Sequence, residues 1–197
     1  ILSQQHHYRK KLSVSTQKAA LRKNLLERRD ETSADLRDIS SKKIYQNLKQ
    51  IDAYNTSQNI ACYFPIGSEI NTQEIMLDIL EKGKNLLLPR ITENDIVFHI
   101  ITNLEKLEEG SFGIMEPRND YKKAVKIDCI LVPTIAISKS GIRLGYGKGY
   151  YDRFLSTTKA VKISLTYSKQ IIKSIPNDAY DIKMDWIVTE DEIIKTR

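Results

Sequence analysis

The sequence has little of what membrane spans, disulfides and metal clusters require. No apolar run in its 197 residues approaches the roughly 20 that a membrane-spanning helix needs, and the N-terminus is polar. We therefore expect neither a membrane protein nor a signal peptide. Cys62 and Cys129 lie in apolar, strand-like segments, with no histidine cluster beside them. They are expected to be reduced core residues of a cytoplasmic protein, and no histidine–cysteine metal site is predicted.

The charge is basic overall but is not concentrated enough to predict nucleic-acid binding. The formal net charge is +6, yet the basic residues are scattered, with some concentration between Arg9 and Arg29. No RNP, zinc-finger or KH-type pattern is present. We interpret the charge as a solvated surface whose field favours anionic substrates. The length and the hydrophobic share of 41% predict one soluble globular domain.

Predicted helices and strands alternate along the chain. A helix is expected to begin after a Thr32-Ser33 cap and to continue to about Gln50, with four inward-facing side chains: Leu36, Ile44, Leu48 and Ile51. Another is expected from Asn71, as N-cap, to Gly83, as the C′ residue. Apolar, β-branched runs predict strands at residues 59–64, 85–89, 96–101, 128–137, 161–167 and 185–189. This rhythm predicts an α/β layered sheet with crossover connections.

An N-terminal helix is predicted to begin near Thr16, with Ser15 or Thr16 as its N-cap. Residues 1–14 before it are polar and basic with little periodicity, which predicts a disordered tail. Lys18 and Arg22 are spaced i, i+4, so their cationic ends project from one face of the helix. On spacing alone, two surface bases on a packing helix are the simpler interpretation.

The most informative stretch covers residues 140–155 and reads S-G-I-R-L-G-Y-G-K-G-Y-Y-D-R-F-L. It follows a predicted strand, contains Gly145, Gly147 and Gly149, and leads into a helix predicted from Tyr150. Glycines let backbone N–H groups approach an anion closely, and a helix N-terminus adds a positive dipole, so this pattern favours a phosphate-binding loop. A tight turn without a ligand is the alternative. Asp152, inside the helix, suggests a nucleotide bound with a metal ion.

Spacing excludes the two best-known phosphate-binding loops. A Walker A loop needs Gly-Lys followed by Ser or Thr, whereas Gly147-Lys148 is followed by Gly149. The dinucleotide-binding fingerprint needs two residues between its second and third glycines, and this loop has one. The loop is therefore a different kind of anion site, or a turn.

The string R-L-G-Y-G-K-G-Y-Y-D-R resembles the signature of the 5-formyltetrahydrofolate cyclo-ligase family, Arg-Leu-Gly-x-Gly-x-Gly-Tyr-Tyr-Asp, without a gap. Four further features resemble the family in the same order along the chain. They are K-A-A-L-R at residues 18–22, F-P-I-G-S-E-I-N-T at residues 64–72, F-G-I-M-E-P-R at residues 112–118 and Asp185 before the last strand. The resemblance implies a three-layer, Rossmann-like α/β fold forming a single domain over residues 15–197.

The resemblance also implies an activity, ATP- and magnesium-dependent cyclisation of 5-formyltetrahydrofolate to 5,10-methenyltetrahydrofolate, through phosphorylation of the formyl oxygen and with release of ADP and phosphate. The ATP-binding residues it implies are Lys18, Arg22, Arg143, Gly145, Gly147, Lys148, Gly149 and Tyr150. The implied catalytic residues are Arg143, Lys148 and Tyr151, the folate-binding residues are Phe64, Glu69, Phe112, Tyr146 and Tyr151, and the magnesium ligands are Asp152 and Asp185. A monomer is expected, with folate as its partner and with neither nucleic acid nor membrane.

Position 146 departs from the family pattern, which often has arginine there. With Tyr146 a cation is lost, and a stacking or hydroxyl contact could replace it, so substrate affinity and polyglutamate preference are affected more than the reaction type. Some features keep a second interpretation: Glu69 as a first-turn helix carboxylate, segment 112–118 as a packing plug and Asp185 as a strand-edge carboxylate. For the whole chain, the alternatives are a non-catalytic RNA-binding homologue and another ATP- or phosphosugar-binding enzyme.

Overall fold

A computed structural model describes residues 13–93, 95–110 and 113–196, which form five α-helices and twelve β-strands. The helices are α1 (Val14–Asp30), α2 (Ala34–Leu48), α3 (Asp52–Asn55), α4 (Gln73–Glu81) and α5 (Tyr150–Thr157). The strands are β1 (Asn59–Ala61), β2 (Asn85–Ile91), β3 (Ile96–Ile101), β4 (Glu108–Glu109), β5 (Met115–Glu116), β6 (Cys129–Pro133), β7 (Ala136–Ser138), β8 (Arg143–Leu144), β9 (Val161–Leu165), β10 (Ile171–Ile172), β11 (Trp186–Val188) and β12 (Ile193–Lys195).

Seven strands form the central sheet in the order β12-β11-β9-β6-β1-β2-β3. The five inner strands are parallel, while the edge strands β3 and β12 pair antiparallel with their neighbours. Successive side chains of a strand point to opposite faces, so Leu131 of β6 packs in the core with Ile44 of α2, whereas Ile130 packs in the core with Leu155 of α5. Helices cover both faces, which confirms the predicted three-layer α/β fold.

A smaller sheet, in the order β10-β7-β8, lies against α1 and carries Arg143. Leu25 of α1 packs there against Ile135 and Leu144. The single strand predicted over residues 128–137 is therefore two strands, β6 and β7, in different sheets. The break follows Pro133, which has no N–H group with which to continue the ladder.

Two helices begin at other residues than predicted. Helix α1 begins at Val14, and its N-cap is Ser13, whose hydroxyl accepts a hydrogen bond from the Thr16 N–H at 3.1 Å. Two residues of the predicted tail, Ser13 and Val14, therefore belong to the helix and its cap. Residues 1–12, for which the tail stays a prediction, lie outside the described part of the chain. Helix α4 begins at Gln73, with Thr72 rather than Asn71 as N-cap. The C′ position at Gly83 is confirmed by its positive φ of 68°.

The buried face of α2 differs from the prediction at one residue. Ile44 and Leu48 are buried there, as is Ile51 just beyond the helix, but Leu36 is 56% exposed. The buried face of the helix begins only at Ser41, so Leu36 in the first turn lies beyond it. The short helix α3, which follows at once, has no counterpart in the prediction.

Both cysteines are free and buried, as predicted. Burial raises the pKa of the Cys62 thiol to about 12, so this thiol is neutral in the core. Among the described residues, no helix has both the length and the apolar character that crossing a membrane would require.

Candidate active site

The glycine-rich loop joins β8 to α5 beside the carboxyl ends of the central strands. Gly147 and Gly149 have φ angles of 93° and 73°, in the left-handed region that glycine adopts without strain. A Cβ atom on Gly147 would lie 2.9 Å from Cζ of Arg22, so any larger residue would displace the Arg22 guanidinium from the loop. Gly149 is the N-cap of α5 and has no side chain to accept from the first-turn N–H groups. The loop therefore presents a helix N-terminus that an external anion can cap.

A polar cavity of about 330 Å³ opens between this loop, α1 and the loop that precedes β11. All eight predicted ATP-binding residues line it, together with Asp152. Nζ of Lys18 lies 2.6 and 2.7 Å from the carboxylate oxygens of Asp181, and Nη2 of Arg143 lies 3.1 Å from Oδ2 of Asp152. Within the described residues, Lys148 Nζ forms no ion pair. The cavity thus combines four cations with three carboxylates, those of Asp152, Asp178 and Asp181.

The two arginines of this cavity lie close enough to affect each other. Nε of Arg22 donates to the Gly145 carbonyl at 2.6 Å, which ties α1 to the loop. Burial and the charge of Arg143 lower the pKa of Arg22. Arg143 is 5% exposed, and its Nε is a buried donor without an acceptor among the described residues. An anion in the cavity would relieve the repulsion between the two guanidinium groups.

An apolar cavity of about 340 Å³ lies on the other side of the loop. Its lining consists mostly of aromatic and aliphatic side chains: Tyr63, Phe64, Ile66, Pro89, Ile91, Ile96, Ile114, Pro133, Tyr146, Tyr150 and Tyr151, with Glu69, Glu116 and Lys148 as the charged groups. Pro133, Tyr146, Lys148, Tyr150 and Tyr151 line the polar cavity as well. The glycine loop and the start of α5 therefore form a wall common to both cavities.

The predicted folate-binding residues meet in the apolar cavity, as far as the structure describes them. Phe64, Glu69, Tyr146 and Tyr151 all line it, whereas Phe112 lies outside the described residues. Burial raises the pKa of the Tyr151 hydroxyl, which is thus neutral. Cζ of Arg143 lies 5.7 Å from the centroid of the Tyr151 ring. The Tyr151 side chain therefore lines the apolar cavity and also lies beside a cation of the polar cavity.

Glu69 is a buried carboxylate at the end of the turn that follows β1. It is 7% exposed, and its Oε2 accepts from the Ile66 N–H at 2.9 Å. Burial raises the pKa of Glu69, while the hydrogen bonds from Ile66 and Tyr146 and the charge of Arg29 oppose the rise. Glu69 lies four residues before α4 begins, so it is not a first-turn helix carboxylate. This placement removes the alternative interpretation.

Tyr146 occupies the position where the family often has arginine, and a stacking or a hydroxyl contact is the expected replacement. The structure shows a hydroxyl contact. Its hydroxyl accepts from Nη2 of Arg29 at 2.9 Å. The hydroxyl also lies close enough to the Glu69 carboxylate for hydrogen bonding between them to affect the pKa of both groups. The residue as a whole remains 41% exposed, as part of the wall between the cavities. The side chain therefore connects α1 to the carboxylate of the apolar cavity.

Asp185 does not join Asp152. It precedes β11 at the amino end of the parallel strands, where its Oδ2 accepts from the Lys162 N–H at 2.9 Å. It lines a separate cavity with Gln50 and Trp186. This placement corrects the prediction that Asp185 shares a metal ion with Asp152, and it favours the alternative, a strand-edge carboxylate. The aspartates that line the polar cavity beside Asp152 are Asp178 and Asp181.

Sequence reasoning missed three further residues. Asp181 was passed over because its loop is polar throughout, although the spacing of Asp178 and Asp181 brings both into the polar cavity. Arg29 follows Arg22 by seven residues, about two helical turns, so both lie on one face of α1. Glu116 follows Phe112 in a segment already connected with folate, and it is 2% exposed. The helical spacing of Arg29 was the clearest available signal.

The fold and its cavities together define an α/β protein with an anion-binding glycine loop beside an apolar ligand cavity. A model of the 5-formyltetrahydrofolate cyclo-ligase family matches residues 14–190. The 5-formyltetrahydrofolate cyclo-ligase of Mus musculus is 30% identical, with 91% of this chain and 97% of the relative covered. The probable 5-formyltetrahydrofolate cyclo-ligase of Caenorhabditis elegans is also 30% identical, with coverage of 77% and 82%.

Solved structures agree with these sequence matches. The NMR structure of 5,10-methenyltetrahydrofolate synthetase from Aquifex aeolicus has a TM-score of 0.83 and 37% identity, with 91% of this chain and 93% of that chain covered. The 5,10-methenyltetrahydrofolate synthetase of Mycoplasma pneumoniae has a TM-score of 0.71 and 26% identity, with coverage of 88% and 98%. The chain belongs to the 5-formyltetrahydrofolate cyclo-ligase family, a family of ligases.

Proposed function

We propose that this chain uses Mg-ATP to cyclise 5-formyltetrahydrofolate to 5,10-methenyltetrahydrofolate, with release of ADP and phosphate. The observation that carries the proposal is the wall shared by the two cavities. One cavity is polar and cationic, as a triphosphate requires, and the other is apolar with a buried carboxylate, as a flat heterocycle with N–H donors requires. The reacting groups of two substrates would meet at Tyr146 to Tyr151.

The reaction must remove an oxygen atom from an unreactive formamide. In the proposed sequence, the formyl oxygen attacks the γ-phosphorus of ATP, and the bond to the β,γ-bridging oxygen breaks to release ADP. The nitrogen N10 then attacks the activated formyl carbon, its proton is lost, and the carbon–oxygen bond breaks to release phosphate. Such chemistry needs no protein nucleophile. It depends on positioning two substrates and on stabilising charge on the transferring phosphoryl group.

The residues of the polar cavity are suited to that charge. Lys148 lies at the wall itself and forms no ion pair with any described carboxylate, so its ammonium is available to a phosphoryl group that passes between the cavities. Arg143 lines the same cavity, and Nε of its guanidinium is a buried donor without an acceptor among the described residues. Lys18 and Arg22 bring two more cations from α1. We assign Lys148 and Arg143 to the transferring group, and Lys18 and Arg22 to the rest of the triphosphate.

The donor set near Asp152 fits magnesium bound together with a nucleotide, but not magnesium bound by protein alone. Over residues 13–93, 95–110 and 113–196, no three side chains of His, Cys, Asp or Glu are grouped to hold a metal ion. Magnesium commonly uses one or two carboxylates plus phosphate oxygens and water. Asp152 would supply one carboxylate, and Asp181 is a second in the same cavity. A bound magnesium ion would neutralise charge on the phosphates.

The apolar cavity supports a pterin ring. Phe64 and Tyr151 offer aromatic surface for stacking, and Glu69 offers a carboxylate acceptor for ring N–H groups. Because the Tyr151 hydroxyl stays neutral, it would act as a hydrogen-bond donor or acceptor and not as a base. We assign Tyr151 to orienting the formyl group at the wall, where it contacts both cavities.

The test is an absorbance assay for the methenyl product with 5-formyltetrahydrofolate, with and without Mg-ATP. We expect product only when ATP and magnesium are both present, with one ADP released per product formed. Lys148→Ala is the matched loss variant, and Lys159→Ala, which changes a lysine outside both cavities, is the control. ADP release that does not need the folate would point to another ATP-using enzyme and contradict the proposal.

A further inference from the structure

Arg29 is a buried cation without an ion pair. It is 3% exposed, and no carboxylate of the described residues lies within ion-pair distance of its guanidinium. Nε donates to the Ser68 hydroxyl at 2.8 Å, Nη2 donates to the Tyr146 hydroxyl at 2.9 Å, and Nη1 lies 3.5 Å from the Thr134 carbonyl oxygen. All three hydrogen-bond acceptors are neutral, and burying a charge among neutral groups is costly. The anion on which this charge acts is the Glu69 carboxylate, where the Arg29 charge opposes the rise in pKa that burial causes.

The hydrogen bond from Arg29 to Tyr146 determines which way the hydrogen bond between Tyr146 and Glu69 is donated. A guanidinium can only donate, so the Tyr146 oxygen must be the acceptor of that bond. A tyrosine hydroxyl has a single proton, which is then left for its second partner, Glu69. An ionised carboxylate can only accept. The arrangement therefore runs in one direction, from Arg29 through Tyr146 to Glu69.

We propose that Arg29 is a positioning residue of the apolar cavity, which fixes the Tyr146 hydroxyl as a donor to Glu69 and thereby orients the Glu69 carboxyl group as an acceptor for an N–H group of the substrate. This inference rests on the proposed function, because it assumes that the ligand of the apolar cavity is the folate. It adds a residue that itself touches neither cavity's ligand and acts through its neighbours.

The surroundings of Glu69 support this role. Burial alone would favour the neutral acid, and the contacts that oppose burial are the Ile66 N–H, the Tyr146 hydrogen bond and the Arg29 charge. Two of the three depend on Arg29. The other charged or titratable groups around Glu69 are Tyr63, Tyr151, Glu116 and Lys148 in the apolar cavity, and Arg37 and Asp38 in a neighbouring cavity.

Helix α1 thus contacts the glycine loop at two successive residues. Arg22 binds the Gly145 carbonyl, and Arg29 binds the Tyr146 side chain. The first contact lies on the side of the polar cavity and the second leads to the apolar cavity. We therefore expect changes at Arg22 to weaken nucleotide binding and changes at Arg29 to weaken folate binding.

The experiment measures equilibrium binding of 5-formyltetrahydrofolate by calorimetry, without ATP, from about pH 5 to about pH 9. The variants are Arg29→Leu and Arg28→Leu, which remove the same charge from adjacent residues of one helix, and Arg28 is exposed. We expect Arg29→Leu to weaken binding by about tenfold at the acid end and by less at the alkaline end, because Glu69 becomes protonated at a higher pH. Arg28→Leu should match the wild type throughout.

A second variant keeps the test valid if Arg29→Leu unfolds. Tyr146→Phe removes only the hydroxyl, and it should shift the acid limb of folate binding in the same direction. The double variant should then be no worse than the more affected single variant, because both changes interrupt one chain of hydrogen bonds. Additive losses, or a lowered melting temperature with an unchanged pH profile, would overturn the inference and leave Arg29 a packing residue.

The outcomes also separate the inference from the function on which it rests. A wild-type protein that neither binds the folate nor forms product overturns the proposed function, and the inference with it. A wild-type protein that forms product, with Arg29→Leu indistinguishable from Arg28→Leu in folate binding, overturns the inference alone.

Discussion

Carboxylates lie at both edges of the central sheet, but they have different partners. At the amino edge, Asp128 accepts from the backbone N–H groups of Gln58 and Asn59, and Asp185 accepts from that of Lys162. On the side of the carboxyl ends, Asp152 and Asp181 are held by the side chains of Arg143 and Lys18, which come from other elements. Asp181 also accepts from the Asp178 N–H, but this bond lies within one loop and joins no strands. The amino-edge carboxylates clamp neighbouring strands. Those in the polar cavity belong to an arrangement of cations that an anion can rearrange.

The difference indicates which carboxylates are free for function. Backbone N–H groups at the start of a strand need acceptors, and a carboxylate that satisfies them is committed to the fold. Side-chain cations can exchange one anionic partner for another when a ligand arrives. An acidic residue beside a strand is therefore a functional candidate only if it lies at the carboxyl edge, where α/β sheets bind ligands.

The largest expected difference between the edges comes from removing one negative charge at each. Asp152→Asn should lower kcat by about a hundredfold, because an amide replaces neither the carboxylate charge beside Arg143 nor a magnesium ligand. Asp185→Asn should leave kcat within about twofold, since an amide oxygen still accepts from Lys162. Steady-state rates at saturating substrate and magnesium provide the measurement. Comparable losses in the two variants would contradict the division between the edges.

The second test concerns the cations of the polar cavity. Arg22→Ala should raise the KM for ATP by about tenfold, or roughly 1.4 kcal/mol of binding, and should change the KM for folate much less. Lys23→Ala is the matched control, because Lys23 is the exposed neighbour on the same helix. If Arg22→Ala lowers only the melting temperature and leaves ATP dependence unchanged, Arg22 is a structural link between α1 and Gly145.

The third test uses two glycines with similar backbone angles. Gly147→Ala and Gly83→Ala should each cost about 1–2 kcal/mol of folding stability, because both residues have positive φ. Only Gly147→Ala should also raise the KM for ATP, by a few-fold, since its Cβ would displace the Arg22 side chain, whereas a Cβ on Gly83 meets no atom within 4 Å. Urea unfolding and ATP kinetics on both variants separate the two effects. Equal ATP kinetics in the two variants would show that the approach of Arg22 is not needed.

Much of this site was predictable because its signals are local. The glycine loop is a continuous string, and the pair Lys18 and Arg22 follows from the spacing of a helix. Asp185 was misplaced because a carboxylate beside a strand looks the same at either edge, and the edge depends on the direction of the neighbouring strands. The importance of Arg29 depends on α1 packing against the loop, which is a long-range contact. Pattern reasoning finds the parts of a site, and topology decides which parts meet.

The smallest expected effect lies at the amino edge, where Asp128 should contribute to stability and not to activity. The ammonium of Lys126, followed by the hydrogen bonds from Asn59 and Gln58, lowers the pKa of Asp128 to about 2. A carboxylate with a lowered pKa stabilises the fold above its unfolded pKa of about 3.9, and this contribution is lost as pH falls through the folded value. Because Lys126 is exposed and its charge is screened, we expect Asp128→Asn to cost only about 1 kcal/mol at neutral pH. The difference from the wild type in urea unfolding should narrow as pH falls from about 4 towards about 2, while both KM values stay unchanged at neutral pH. A stability difference that does not depend on pH would mean that the hydrogen bonds, and not the charge, hold β1 to β6.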